Sequence, residues 1–594
     1  MMLQKQVAFI VMCMVLVPES GFGADLSPAK WKAEDKARAE QAEQMPWPLQ
    51  ARVVEGQQGL VTGTMSPIAV QAGVEALRQG GTAADAAATV ALTQIATALG
   101  SYVSYAGILE LVYYDAKSGK VTTLNAGWNS YVGETDPKSI PVTDLGPLSF
   151  GKKATEGAEG RKTLVPGFMA GIEQMHKRYG RLKFSELFEP AIWYAENGVK
   201  ISPTLGAFFT MQQKYLSRTA EGKAFMHQAG SDLPKAGDRF VQADLAKTLR
   251  AVATQGSGYM YTGAWGQHFV KAVGGAGGKA TMEDMKRYAP TWEEPLSTTF
   301  LGRTIYVPGK NSEGSYPVLE ALNLAEEMKL DEMGPYNRDE KALRALTGLL
   351  RKAEADSYTD QYMRQNGMKS SREEQITKAY AKTAATTLAA KEPPTQGETP
   401  HHSDAVVVVD KWGNIAALTH SINTVLWGTT GMVVDGVPIP DAAGFQQARL
   451  AGIKPGDRVP NELTPVIAME GTKPVLAMAS VGSSLLPETV RLLVTTFANK
   501  LDPMAAMAAP PLTMPVGPMK DGETFMTRPE QIPEGAYDAE FLARLKELGV
   551  TVELKSTQDV RAIRGTVVMG TIDAKSGAVR AVETPGVYGF AEAY

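Results

Sequence analysis

The chain has 594 residues, 44% of them hydrophobic and 21% charged, with a formal net charge of −4. That length exceeds one ordinary core, the composition is that of a globular protein, and no basic excess points to nucleic acid. The single cysteine, Cys13, lies in the first segment, so the rest of the chain has no disulfide and no thiol nucleophile.

Residues 1–23 read as a secretory signal. Lys5 gives a weak positive start, residues 7–17 form an apolar core too short to span a bilayer comfortably, and Gly21-Phe22-Gly23-Ala24 offers small residues for cleavage. A cleaved signal predicts a periplasmic or secreted protein with no membrane attachment afterwards. Residues 25–50 are polar and charged and read as a loose leader. Ser66-Pro67 caps a helical pattern through Leu77 that Gly80-Gly81 ends. Thr82 and Asp85 open an alanine-rich helix to about Leu99. Residues 107–114 read as a strand, 115–119 as a turn, and 121–124 as the returning strand. Helices dominate 167–333, with a strand near 304–307, and 336–380 continue as charged helix.

Several tempting motifs fail. Residues 274–279 mimic a phosphate loop, but Ala280 stands where magnesium binding needs Ser or Thr, so the stretch reads as a helix stop and turn. None of the six histidines sits in an HExxH pattern, and adjacent His401-His402 make a poor chelate. No metal and no organic cofactor is expected. Gly482-Ser483-Ser484 lacks the G-x-S-x-G spacing of a nucleophile elbow.

Residues 391–400 are a polar, proline-bearing linker that runs almost directly into Ser403. Residues 405–409 are one alanine and four valines, which favours a strand buried on both faces. Asp410-Lys411-Trp412-Gly413-Asn414 supplies a turn, and 415–419 return. On these residues alone the segment is a core hairpin entered by a hydroxyl side chain.

Separated segments, in order, resemble the γ-glutamyltranspeptidase family of N-terminal-nucleophile hydrolases. They are Ser66-Pro67 with Gln71-Ala72-Gly73-Val74-Glu75-Ala76-Leu77 and Gly80-Gly81-Thr82-Ala83-Ala84-Asp85; Val165-Pro166-Gly167 with His176-Lys177-Arg178-Tyr179-Gly180; residues 281–288 with Glu294-Pro295-Leu296; and Gly577-Ala578-Val579 with Ala591-Glu592-Ala593-Tyr594. The resemblance implies an α+β, four-layer αββα sandwich built from one precursor: a large subunit, 24–402, helical with a few strands, and a sheet-rich catalytic small subunit, 403–594. It implies self-cleavage between His402 and Ser403, after which Ser403 takes an acyl group from a small-molecule amide or peptide and passes it to water or an amine. Such a γ-glutamyltransferase or glutathione hydrolase uses the new α-amine as base, and its pKa of roughly 7.7–8.0 suits that role. By the same resemblance Ser421 supports the nucleophile, Asn423 contacts substrate, and Gly482 and Ser483 supply the oxyanion N–H groups. Asn461 and Glu462 stand where a serine pair grips the substrate carboxylate, and Asp435 or Asp441 is the candidate for its amine.

The chain also departs from the pattern. Serine replaces the usual threonine nucleophile, with Thr399 as an alternative that Pro400 and the spacing to Asp410 disfavour. Asp404-Ala405 replace a Thr-His pair. The carboxylate-binding arginine is absent from Leu124-Asn125-Ala126-Gly127-Trp128, and Glu462 would repel a carboxylate. Trp128 and Trp427 point to a bulkier or less charged acyl group. Two alternatives therefore stand beside the γ-glutamyl enzyme: an uncut, non-catalytic member with a binding role, and an acylase for non-glutamyl amides.

Overall fold

A computed structural model describes residues 23–45, 47–143, 157–227, 232–388, 403–482, 485–513, 524–556, 559–560 and 565–594. The proposed signal residues 1–22 with Cys13, the linker 391–400, Thr399, His401, His402 and Ser483 lie outside them.

Two seven-stranded antiparallel sheets form the centre of the molecule. In chain order the strands are β1 (Arg52–Gly56), β2 (Leu60–Thr64), β3 (Ile108–Asp115), β4 (Lys120–Ala126), β5 (Thr291–Glu293), β6 (Leu296–Phe300), β7 (Arg303–Val307), β8 (Ser403–Val409), β9 (Ile415–Ser421), β10 (Val466–Glu470), β11 (Lys473–Val481), β12 (Thr566–Ile572), β13 (Val579–Glu583) and β14 (Gly589–Ala593). The first sheet runs β1-β13-β12-β11-β10-β7-β6 and the second β14-β2-β8-β9-β3-β4-β5. Each draws strands from both sides of Ser403, so neither 24–402 nor 403–594 completes a sheet.

Period-two alternation explains the layering. On β8, Ala405, Val407 and Val409 join a core with Ala477, Ala479 and Val481 of β11, which fills the space between the sheets. Val406 and Val408 point the other way, into a core shared with the helices α2 (Pro67–Arg78) and α3 (Ala83–Thr97). Helices α4 (Ser315–Glu327), α5 (Glu340–Gln365) and α6 (Leu485–Phe497) cover the far side of the first sheet. Every β8 residue is buried, as the valine run predicts, and each such valine contributes about 2 kcal/mol of burial.

The helix signals hold. Ser66 accepts from the Ala69 N–H, and Thr82 with Asp85 forms a reciprocal capping box. The α+β sandwich expected from the resemblance is the fold observed. The loose leader is not. Residues 33–42 form a helix, and Leu26, Trp31 and Ala39 enter the main core, so a few apolar anchors outweigh the polar composition. Strand β2 was not anticipated either. Its Gly63 breaks the strand pattern, yet a Cβ there would lie 3.3–3.5 Å from Val70, Gln94 and Val90, so the glycine lets α2 and α3 sit close. Among the described residues no helix is long and apolar enough to cross a membrane.

Candidate active site

The hairpin β8–β9 pairs Ser403 with Ser421, Asp404 with His420 and Ala405 with Thr419. The same alternation that buries Ala405 and Val407 between the sheets puts Ser403 and Ser421 on that face, and sends Asp404 and His420 toward the helices. Ser403 Oγ donates to Ser421 Oγ at 2.8 Å, and Ser421 Oγ also accepts from the Asn423 N–H at 2.9 Å. Asn423 has φ 48°, a left-handed conformation that asparagine tolerates, and this folds the chain back onto Ser421. Sequence reasoning thus named three residues that the fold brings together.

Two further loops carry the other candidates. Asn461 Nδ2 donates to Glu110 Oε1 of β3 at 2.7 Å, while its own Oδ1 accepts from the Leu463 N–H at 2.9 Å. The adjacent Glu462 turns the other way and pairs with Arg449. A cavity of about 60 Å³ is lined by Glu313, Glu354, Arg449, Glu462, Gly482 and Leu485, among others. Gly482 ends β11 with φ 83°, a conformation that suits glycine, and its carbonyl accepts from the Leu485 N–H at 3.2 Å.

Glu110 and Arg449 were missed. Glu110 did leave a signal, a lone acid in the apolar run Ile108-Leu109-Glu110-Leu111-Val112. Burial pushes its carboxyl well above the usual range, against the Asn461 hydrogen bond that pulls it down. Arg449 left none, since nothing in its own segment marks Glu313 and Glu462 as its partners.

The surroundings of Gly127 are crowded. A Cβ on Gly127 would lie 3.1 Å from Asn125 Oδ1, 3.2 Å from Asn461 Nδ2 and 3.3 Å from Arg458 Cδ. Arg458 donates to the Gly127 carbonyl at 2.5 Å and to Ala289 O at 2.6 Å.

The remaining candidates lie in different surroundings. Asp441 is fully buried and accepts from the hydroxyls of Thr143 (2.8 Å), Thr424 (2.6 Å) and Thr429 (2.6 Å) and from the Thr429 N–H (3.1 Å). Asp435 pairs with His268 at 2.7 Å beside a separate cavity of about 720 Å³ in the helical layer. Trp128 and Trp427, which point to a bulkier or less charged acyl group, are buried: they are 1% and 2% exposed, and Trp427 Nε1 donates to Leu99 O at 2.8 Å.

Behind strand β8 lies a buried polar network. Thr64 donates to Asp404 Oδ1 at 2.7 Å and accepts from the Ala405 N–H at 2.8 Å. Burial drives the Asp404 carboxyl well up, and nearby Glu43 adds to this. His420, held by Gln94 at 2.9 Å, is pushed down to about 3 by burial and stays neutral. Glu43 accepts from Ser66 Oγ at 2.9 Å and the Ile68 N–H at 3.1 Å, and burial raises it to about 7. The folded protein therefore holds this proton longer than the unfolded chain, and stability falls as pH rises from 4.5 toward 7. Comparing pH-dependent thermal unfolding of the wild type with Glu43→Gln should isolate a loss of about 3 kcal/mol that the variant lacks.

The γ-glutamyltranspeptidase family profile matches residues 69–582. The glutathione hydrolase proenzyme of Bacillus subtilis (strain 168) is 27% identical over 73% of this chain and 77% of its own length. That of Escherichia coli (strain K12) is 25% identical over 74% and 77%. The acylase ACY 1 proenzyme of Pseudomonas sp. (strain V22) is 24% identical over 77% and 82%. Among solved structures, a cephalosporin acylase from Bacillus halodurans has the same fold, with TM-score 0.74 and 21% identity over 92% of this chain and 98% of that one. With the two-sheet sandwich and the match across most of its length, this chain belongs to the γ-glutamyltranspeptidase family and is an N-terminal-nucleophile amidohydrolase.

Proposed function

We propose that the chain is exported to the periplasm or beyond, cuts itself between His402 and Ser403, and then uses Ser403 to transfer an acyl group from an amide to water or an amine. The observation that carries this is the Ser403–Ser421 hydroxyl pair at the entrance of the central strand, on the face between the sheets. In the first reaction Ser403 Oγ attacks the His402 carbonyl carbon. The C–N bond breaks, the hydroxyl proton passes to the departing nitrogen, and an ester forms; water opens it to a His402 carboxylate and a free Ser403. In the second, the Ser403 α-amine takes the Oγ proton as Oγ attacks the substrate carbonyl. The N–H groups at Gly482 and Ser483 receive the oxyanion, the amine leaves with that proton, and the acyl ester passes to water or an amine. Ser421 orients Oγ, and Asn423 and Asn461 contact the acyl group. No metal or cofactor takes part.

An acylase for non-glutamyl amides is the second reading. It is favoured by the crowding at Gly127 and by the paired state of Glu462. Gly127→Arg is expected to lower stability by about 2 kcal/mol through overpacking, with no gain in γ-glutamyl turnover. Thermal unfolding beside kcat/KM for a γ-glutamyl anilide checks both.

The proposal is tested by intact mass and N-terminal sequencing of the purified protein. Two fragments, one starting at Ser403, support it. A single uncut chain without amidase activity would move the protein to a binding role.

A further inference from the structure

Ser403 opens β8, and only one neighbouring strand reaches it. On one edge β9 pairs with the whole of β8, from Ser403 opposite Ser421 onward. On the other edge β2 pairs only Gly63 to Leu60 with Val406 to Val409. Beyond Gly63 the chain turns away. Met65 has φ 66°, and the Ser66 N–H donates to Thr64 O at 2.7 Å, a γ-turn that a methionine adopts only under strain. Residues 403–405 therefore have no backbone ladder on the β2 edge.

Side chains take the place of that ladder. Thr64 Oγ1 accepts from the Ala405 N–H at 2.8 Å and donates to Asp404 Oδ1 at 2.7 Å. Gln94 of α3 donates to Thr64 O at 2.8 Å, and its own oxygen meets His420 Nε2 at 2.9 Å. His420 is the residue opposite Asp404 across the hairpin. All four side chains are fully buried. One hydroxyl thus holds both residues that follow Ser403. Asp404 Oδ2 has no partner among the described residues, in keeping with a carboxyl that stays neutral. Along a strand, residues two apart point their N–H groups to the same edge. The Ser403 nitrogen, like that of Ala405, therefore faces the edge that Thr64 guards.

We propose that Thr64 is a positioning residue for the nucleophile: its hydroxyl clamps Asp404-Ala405, so that the cut strand end keeps Ser403 against Ser421. This deepens the amidohydrolase reading and rests on Ser403 as its nucleophile. Before the cut, the preceding chain helps to hold Ser403. Afterwards Ser403 is a chain end with a ladder on one edge only, and such ends fray. The clamp confines that freedom to Ser403 itself. Without the hydroxyl, the Ala405 N–H and Asp404 Oδ1 lose their partner beside the reacting residue.

The test uses the full-length protein with Thr64→Val, Thr64→Ser and Asp404→Asn, and γ-glutamyl-p-nitroanilide as the probe. Intact mass over time gives the rate of cutting, and kcat and KM are measured on the cut protein. Thr64→Val keeps the shape and removes the hydroxyl. It is expected to slow cutting and to lower kcat by about tenfold or more, with KM within about twofold of the wild type. Thr64→Ser returns the hydroxyl and should restore both rates. Asp404→Asn keeps an uncharged acceptor of the same size and should stay within about threefold of the wild type. A residue that only supported the fold would lower the unfolding temperature of Thr64→Val and leave the cutting rate and kcat unchanged, and that result overturns the proposal. So does a loss confined to KM, or a serine variant as slow as the valine one. An Asp404→Asn loss as large as that of Thr64→Val would make Asp404 a working carboxylate and overturns it too. If Thr64→Val does not fold, Asp404→Ala, which removes the acceptor of the hydroxyl, stands in with the same expectation and the same overturning result. If the wild type is cut but does not turn over the probe, the cutting rates decide. An uncut wild type fails the Ser403 reading itself, and this proposal with it.

Discussion

Ser403→Ala is expected to leave one uncut chain and to lower amide turnover by about 10⁴-fold or more, the scale on which loss of a nucleophile acts. The variant removes a single oxygen. That oxygen makes the 2.8 Å contact to Ser421, and the 5%-exposed site has little room for water to replace it. Both proposed reactions begin with the same atom, so processing and turnover should fail together. Ser403→Thr keeps the hydroxyl and should keep the cut. Intact mass and anilide turnover on the three proteins decide the matter. A Ser403→Ala chain that is still cut would transfer the nucleophile elsewhere, Thr399 being the nearest hydroxyl the sequence offers.

Asp441→Ala is expected to cost about 3–5 kcal/mol of stability, the scale of removing one member of a buried polar network. The carboxylate takes hydrogen bonds from Thr143, Thr424 and Thr429, which tie the loop after Asn423 to a distant part of the chain. Alanine leaves the Thr424 and Thr429 hydroxyls and the Thr429 N–H buried without this acceptor, and leaves Thr143 only the backbone carbonyl of residue 441 at 3.4 Å. The loop they hold carries Asn423 at its left-handed φ, so activity should fall with stability. Thermal unfolding measured beside KM separates this from direct contact with substrate. A raised KM at unchanged stability would make Asp441 a ligand for the substrate amine.

Local signals were legible where chemistry and geometry sit within a few residues. Ser66 and Thr82 cap their helices as their neighbours require, and the valine run after Asp404 makes a strand buried on both faces. The spacing from Ser403 through Ser421 to Asn423 was legible because a tight hairpin fixes the register of both strands. The leader was misread because its polar majority hides the few side chains, Leu26, Trp31 and Ala39, that anchor it.

The sequence by itself determined the family, the hydroxyl at the entrance of the central strand, and the absence of an arginine at Gly127. These are matters of residue identity and short spacing. Only the tertiary structure decided that Gly127 is crowded by Asn125, Asn461 and Arg458, and that the buried Arg449 is already paired. It also showed that Asp441 serves three threonines. Each arrangement includes at least one partner more than a hundred positions away: Thr143 for Asp441, Glu313 for Arg449, and Arg458 for Gly127. Their energies arise from desolvation and close packing, which exist only once the two sheets have closed on each other.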